Sequence, residues 1–329
     1  MKAIKDRYEK MIYRRLGNSG IKLPVISLGL WNNFGSNNSY EECTQIVWKS
    51  FNHGITHFDL ANNYGPPAGH AEMVFGKILK DGFIKHRDEI IVSTKAGYDM
   101  WEGPYGDFGS RKYLIASLDQ SLERMGLKYV DIFYHHRFDP ETSLKETMLA
   151  LRDIVLSGKA LYVGLSNYTS SQLAQAYKIL DSLNVPYIVT QPKYSMLDRT
   201  MERDNILTTQ DNTGGGTVVY SALEQGLLSN KYIDSVPKDS RAMNTDIVFL
   251  SPDRVDDKLR DILRSLKVIA DKRNQTITQL ALCWTLRDPR LTSILLGIRT
   301  IEQLKENILV LDNLELTSEE VSQIELILS

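Results

Sequence analysis

Short runs of β-branched and apolar residues alternate along this chain with longer stretches whose apolar positions recur every three or four residues. Ile90-Ile91-Val92-Ser93-Thr94 reads as a buried strand. The segment 111–125 after it spaces Leu114, Leu118 and Leu122 four apart, the stripe of a helix. The alternation continues with a strand over 129–134, a helix over 143–157 carrying Leu144, Met148 and Leu151 on one face, a strand over 160–165, a helix over 170–183, and strands over 187–190 and 217–220. A helix over 256–273 precedes a last strand over 292–296, and a helix over 301–310 follows it. Two earlier pairs, 25–30 with 41–52 and 57–59 with 71–80, bring the total to about eight strand–helix units.

Eight such units in 329 residues fit a closed parallel (β/α)8 barrel (a TIM barrel) better than an open doubly wound sheet. An open dinucleotide-binding sheet would carry a Gly-x-Gly-x-x-Gly turn after its first strand, and the sequence has none. The run Gly214-Gly215-Gly216 precedes a strand and reads as a turn. With no Pro/Ser-rich linker or low-complexity tract, residues 1–329 read as one domain, and 229–253 as a long loop. In such barrels the reacting groups sit at the C-terminal ends of the strands.

Composition narrows the partners. Hydrophobic residues at 42% and charged residues at 24% place the chain among globular proteins, and a net charge of -2 supplies no field for nucleic acid or an anionic membrane. There are only two cysteines, Cys43 and Cys283, far apart and outside any Cys-x-x-Cys spacing, which argues against a disulfide framework and a structural zinc site. The charged start Met1-Lys2-Ala3-Ile4-Lys5-Asp6-Arg7 lacks the apolar core of a signal peptide, so a cytoplasmic protein is expected.

Three successive strands end in ionisable residues: His57-Phe58-Asp59, Val92-Ser93-Thr94-Lys95, and Phe133-Tyr134-His135-His136-Arg137. Tyr64 follows Asp59 on a short loop. Singly, each has an ordinary explanation: a carboxylate that caps a helix, a solvated lysine, a packed histidine. Together on one rim they suit carbonyl reduction. A tyrosine is a poor acid, a lysine cation beside it lowers its pKa, an aspartate holds the lysine, and a neutral histidine steadies the carbonyl oxygen. Alternation turns only one of His135 and His136 inward, and periodicity does not say which. No side chain donates hydride, so a nicotinamide or flavin is required.

At these residues the chain resembles the aldo-keto reductases. His57-Phe58-Asp59-Leu60-Ala61-Asn62-Asn63-Tyr64-Gly65 is similar to the family's aspartate-to-tyrosine signature, Ser93-Thr94-Lys95 to its lysine strand, and Val130 to Arg137 to its histidine strand. Tyr13-Arg14-Arg15-Leu16-Gly17 resembles the hairpin that seals the barrel floor. The resemblance implies a tetrad of Asp59, Tyr64, Lys95 and His136, with Tyr64 as general acid. Within the family the likeness is greatest to the bacterial L-glyceraldehyde 3-phosphate reductase branch, relatives of potassium-channel β subunits. It rests on Leu28-Gly29-Leu30-Trp31-Asn32-Asn33-Phe34-Gly35, on Tyr64-Gly65-Pro66-Pro67 and on Lys95-Ala96-Gly97-Tyr98-Asp99-Met100-Trp101. That branch implies small aldehydes such as glyceraldehyde 3-phosphate and methylglyoxal as substrates, and assembly into tetramers or octamers.

The resemblance also implies NADPH as cofactor. It assigns Trp31 and Asp59 to cofactor binding, Ser166, Asn167 and Gln191 to the nicotinamide carboxamide, Tyr220 to stacking, and Ser221, Leu223, Gln225, Gly226, Leu228 and Lys231 to the pyrophosphate. Gly297, Arg299, Gln303, Glu306 and Asn307 fall to the adenosine and its 2′-phosphate, with Arg299-Thr300 where serine then arginine is usual. Glu224, an acid in the pyrophosphate segment, is expected either to weaken binding or to point outward. Trp31, Tyr98, Trp101 and Tyr105 form an expected aromatic collar for the substrate, and Arg137 is positioned for its phosphate or carboxylate. A rival is an NADPH-binding redox-sensing subunit like the channel β subunits, which often have asparagine where this chain has His136. A metal-dependent barrel hydrolase would need paired histidines and further carboxylates at the rim.

Overall fold

In the computed structural model, which describes residues 1–36, 38–237 and 252–329, the chain opens with a hairpin of β1 (Tyr13–Arg15) and β2 (Lys22–Pro24), antiparallel with Tyr13 opposite Pro24. The order then runs β3 (Ile26–Gly29), α1 (Tyr40–Asn52), β4 (His57–Asp59), α2 (His70–Lys80), β5 (Ile91–Ala96), α3 (Arg111–Met125), β6 (Val130–His135), α4 (Leu144–Leu156), β7 (Ala160–Ser166), α5 (Ser170–Ser182) and β8 (Tyr187–Gln191). Two short helices, α6 (Thr200–Arg203) and α7 (Ile206–Thr213), lead to β9 (Gly216–Tyr220). After α8 (Asp257–Lys272) and α9 (Ile277–Leu286) come β10 (Leu291–Gly297), α10 (Ile301–Ile308) and α11 (Ser318–Leu328). The strands β3 to β10 are parallel neighbours in sequence order, and β10 pairs with β3 to close the barrel.

The expected strands and helices all appear to within two residues. Their ends follow from local chemistry. Ser39 and Glu42 form a capping box at the start of α1, Thr169 and Gln172 one on α5, and Gly126 ends α3 in the left-handed conformation. The sequence pattern does not mark the helices α6, α7, α9 and α11. All of α9 is buried, packed between α8 and β10, so it has no polar face to produce an amphipathic stripe. Of the loop expected over 229–253, residues 230–232 and 252–254 form single 3₁₀ turns, and 238–251 lie outside the described residues.

The hairpin reaches into the barrel. Leu16 and Leu23, fully buried, pack with Ile132, Tyr134, Ile188, Val189, Val218 and Leu295 in the interior. Arg14 ties the hairpin to the wall by donating to the carbonyls of Leu286 and Leu291 at 3.0 and 2.7 Å. The glycine run explains the fit. Gly214 caps α7 with φ 70°, Gly17 has φ 54°, and a Cβ at Gly17 would lie 2.2 Å from the Gly214 carbonyl oxygen. Any larger residue at Gly17 would push the hairpin off the floor. No helix among the described residues is long and apolar enough to cross a membrane.

Candidate active site

Strand alternation sorts the rim. On β5, Lys95 turns into the barrel, whereas its neighbour Thr94 turns outward and donates to Glu72 of α2 at 2.5 Å. The fully buried Lys95 ammonium is ion-paired with Asp59, donates to the Leu60 carbonyl at 2.7 Å and lies 3.3 Å from the Tyr64 hydroxyl. Asp59 Oδ1 accepts from Ser93 Oγ at 2.7 Å and from Gln191 Nε2 at 3.2 Å. Burial lowers the Lys95 pKa, and the Asp59 carboxylate opposes that shift.

The two histidines part company. His136 packs edge-on against Tyr64 at 5.9 Å and Tyr98 at 4.7 Å between ring centres, facing the rim. His135 turns away and meets the Tyr168 hydroxyl through Nδ1 at 2.6 Å. Burial, reinforced by the Lys95 charge, holds His136 well below the usual histidine range, so its imidazole is neutral. Its Nδ1 has no hydrogen-bond partner among the described residues. The structure therefore brings Asp59, Tyr64, Lys95 and His136 together.

One expectation is reversed. Lys95 was expected to lower the Tyr64 pKa. Burial, joined by the Asp59 charge, instead pushes the phenol well above its ordinary value. At rest the lysine is paired with Asp59 in direct contact, and burial sets the direction of the net shift. Tyr64 therefore remains a fully loaded phenol.

Around this group lie the side chains assigned to a cofactor. Ser166 is buried and donates to the Gln191 carbonyl at 2.7 Å. Asn167, at φ 56°, donates to the His136 carbonyl at 3.0 Å and accepts from the Tyr220 hydroxyl at 2.8 Å. Ser221, Glu224, Gln225 and Gly226 all have positive φ, a tightly wound turn that accompanies Leu223 and the buried Leu228, and Lys231 sits over the Tyr232 ring at 4.8 Å. Glu224 neither points outward nor lies free. It is 1% exposed, accepts from Ser195 at 2.9 Å and pairs with Lys193 and Arg254 at 2.8 and 3.0 Å. At the last strand, Gly297 is exposed and Arg299 is exposed beside the start of α10. Gln303 bends back to accept from the Arg299 and Thr300 amides, Glu306 is half-buried and Asn307 is buried.

The collar is less uniform than expected. Trp31 is half-buried, Tyr98 lines the rim against His136, Trp101 turns onto Tyr113 of α3 at 5.1 Å, and Tyr105 is exposed. Arg137 is not an open anion site. It donates to both oxygens of Asp107 at 2.7 Å and to the Gly97 carbonyl at 2.6 Å, flanked by the rings of Tyr98 and Phe108. Sequence reasoning also passed over His57 and the serines behind Asp59. His57 stands two residues before Asp59 on one strand, and that spacing alone puts both on one face.

A barrel with an ion-paired lysine against a tyrosine at its C-terminal rim matches known proteins over most of its length. The family model described as Aldo/keto reductase family matches residues 25–329. The chain belongs to this family. As an aldo/keto reductase it is 49% identical over 322 residues to an L-glyceraldehyde 3-phosphate reductase of Escherichia coli O157:H7, covering 97% of this chain and 93% of the relative. To a probable voltage-gated potassium channel subunit beta of Arabidopsis thaliana it is 34% identical, covering 92% of each. Among solved structures, a thermostable aldo-keto reductase in complex with the inhibitor epalrestat superposes with a TM-score of 0.76 at 28% identity, covering 96% of this chain and 100% of that one. Aldo/keto reductases are oxidoreductases that generally use nicotinamide cofactors.

The chain's residues suit such a cofactor. Ser166, Asn167 and Gln191 cluster amide and hydroxyl groups at one side of the tetrad, a donor and acceptor set matched to a ring bearing a carboxamide.

Proposed function

We propose that residues 1–329 act as one cytoplasmic barrel domain that reduces small aldehydes to alcohols with NADPH, L-glyceraldehyde 3-phosphate and methylglyoxal being the substrates to examine first. The observation that carries the reading is the Tyr64 hydroxyl 3.3 Å from a fully buried Lys95, between Asp59 and a neutral His136. When bound, reduced nicotinamide supplies a hydride for the carbonyl carbon. Tyr64 gives its proton to the carbonyl oxygen, and Lys95 stabilises the tyrosinate left behind. His136 orients the oxygen as a neutral donor. Ser166, Asn167 and Gln191 would hold the carboxamide, Tyr220 the ring face, the turn from Ser221 to Leu228 with Lys231 the pyrophosphate, and Arg299 the 2′-phosphate.

The likeness to the E. coli enzyme supports the substrate class; assembly into tetramers or octamers is proposed alongside it, and light scattering would read it. The test is loss of NADPH absorbance with methylglyoxal and with each enantiomer of glyceraldehyde 3-phosphate, run beside Tyr64→Phe. Oxidation that disappears in the variant supports the reductase. Tight NADPH binding without turnover in the wild type would instead favour a redox-sensing subunit, a reading to which the 34% identity with a channel subunit gives a footing.

A further inference from the structure

Behind Asp59 runs a line of buried groups that no step above uses. The Ser293 and Ser27 hydroxyls are 2.7 Å apart, and Ser27 Oγ lies 2.9 Å from His57 Nδ1. His57 Nε2 lies 2.9 Å from Ser93 Oγ, which reaches Asp59 Oδ1 at 2.7 Å. Every one of these side chains is at most 1% exposed. They come from β10, β3, β4 and β5, four consecutive staves of the barrel.

The protons in this line have one arrangement open to them. An ionised carboxylate only accepts, so the single hydroxyl proton of Ser93 goes to Asp59. Ser93 Oγ then accepts from His57, which places the imidazole proton on Nε2. Burial lowers the His57 pKa to about 4, against the pull of Asp59 on its own strand and with the push of Lys95 from β5. The ring is therefore neutral and its Nδ1 accepts. Ser27 donates to Nδ1 and in turn receives from Ser293. All four hydrogen-bond dipoles point toward Asp59.

We propose that His57 is a positioning residue which, with Ser93 and Ser27, holds Asp59 as an oriented carboxylate beneath Lys95 and so fixes the lysine beside the Tyr64 hydroxyl. Hydrogen bonds to the charged form of a carboxylate favour that form, and aligned bonds strengthen one another. Burial alone would drive both Asp59 and Lys95 toward their neutral forms. Gln191 supplies one further bond to Asp59 from β8. The role in turnover rests on the reductase reading above, whereas the proton arrangement does not.

Nitrogen NMR of the uniformly ¹⁵N-labelled full chain tests the arrangement, with the His57 signals identified by their loss in His57→Gln. The expected result is a neutral ring protonated on Nε2 that does not titrate between about pH 5 and pH 9. In turnover, Ser93→Ala should lower kcat about tenfold and move the acid limb of its pH profile to higher pH, because Asp59 loses a donor. Ser93→Thr, which keeps the hydroxyl, should restore both, and Ser27→Ala should act in the same direction more weakly. A proton on Nδ1, a His57 that titrates near the ordinary histidine value, or a limb that stays in place in Ser93→Ala while only thermal stability falls, overturns the proposal. If the wild type reduces no aldehyde, the reductase reading fails and the positioning role fails with it, even where the NMR finds the proton on Nε2.

Discussion

The Tyr64 hydroxyl lies 3.3 Å from the Lys95 ammonium, yet burial and the Asp59 charge hold the phenol well above its ordinary pKa. The pair therefore rests with the proton on tyrosine and the charge on lysine, the state a proton donor needs before the carbonyl oxygen takes on charge. Tyr64→Phe removes the donor and leaves the ring. It should lower kcat by about 10²- to 10⁴-fold. Binding of NADPH, followed by fluorescence quenching, should stay within about twofold, since uniform binding is untouched.

Three buried histidines make the fold sensitive to acid. His57 and His135 are each lowered from 6.5 to about 4 by burial, and burial also holds His136 well below its usual range. In that interval the unfolded chain binds protons that the folded chain refuses, so stability is complete above about pH 6.5 and is lost as pH falls toward 4. The shifts of His57 and His135 each correspond to roughly 3 kcal/mol. Urea unfolding at pH 7 and pH 4.5 should show a midpoint lower by more than 1 M at the acid value, on the order of the summed shifts divided by a typical m-value. Equal midpoints would mean that these imidazoles are hydrated.

Arg137 is satisfied by Asp107 before any substrate arrives, with the pair about one-quarter exposed. A substrate phosphate must compete with that carboxylate. Asp107→Asn should therefore raise the ratio of kcat/KM for glyceraldehyde 3-phosphate over unphosphorylated glyceraldehyde by a few-fold to about tenfold, more at low salt than at high. Arg137→Gln should lower the same ratio. A ratio that is unchanged in both variants would exclude Arg137 from the substrate's anion.

Arg299 is exposed at the start of α10, where the Gln303 side chain already caps the helix. The Gln303 side-chain oxygen is thus occupied by the backbone, and the exposed guanidinium is the group we propose for a 2′-phosphate. Arg299→Ala should weaken NADPH about tenfold, the size of one charge-assisted contact, with little effect on NADH. Calorimetry with both cofactors checks this, and an equal loss for the two would move the phosphate contact elsewhere.

The order and extent of the barrel strands, and the residues at their ends, were legible in the sequence because they depend on local rules. A period of two along a short run marks a strand and the face each side chain takes, and a period near 3.6 marks the helix that follows. Asp59, Lys95 and His136 each lie within one residue of the end of a strand that such rules identify. The same rules fail for α9, whose fully buried surface erases the polar face that a stripe is measured against. Only tertiary structure decided the rest. His136 rather than His135 faces Tyr64 because the chain leaves β6 at that point, and the inward turn of Glu224 is set by Lys193 and Arg254 from distant segments. The Asp107 partner of Arg137 and the line from Ser293 to Asp59 join residues 30 to 266 positions apart. The Ser27–Ser293 contact exists because the sheet closes on itself, making β10 and β3 neighbours, and the others because adjacent staves and their loops are brought side by side. The shifts of Tyr64, His57 and His136 are consequences of that enclosure. A residue's chemistry is written in the sequence, but its solvation is set by what the closed barrel packs around it.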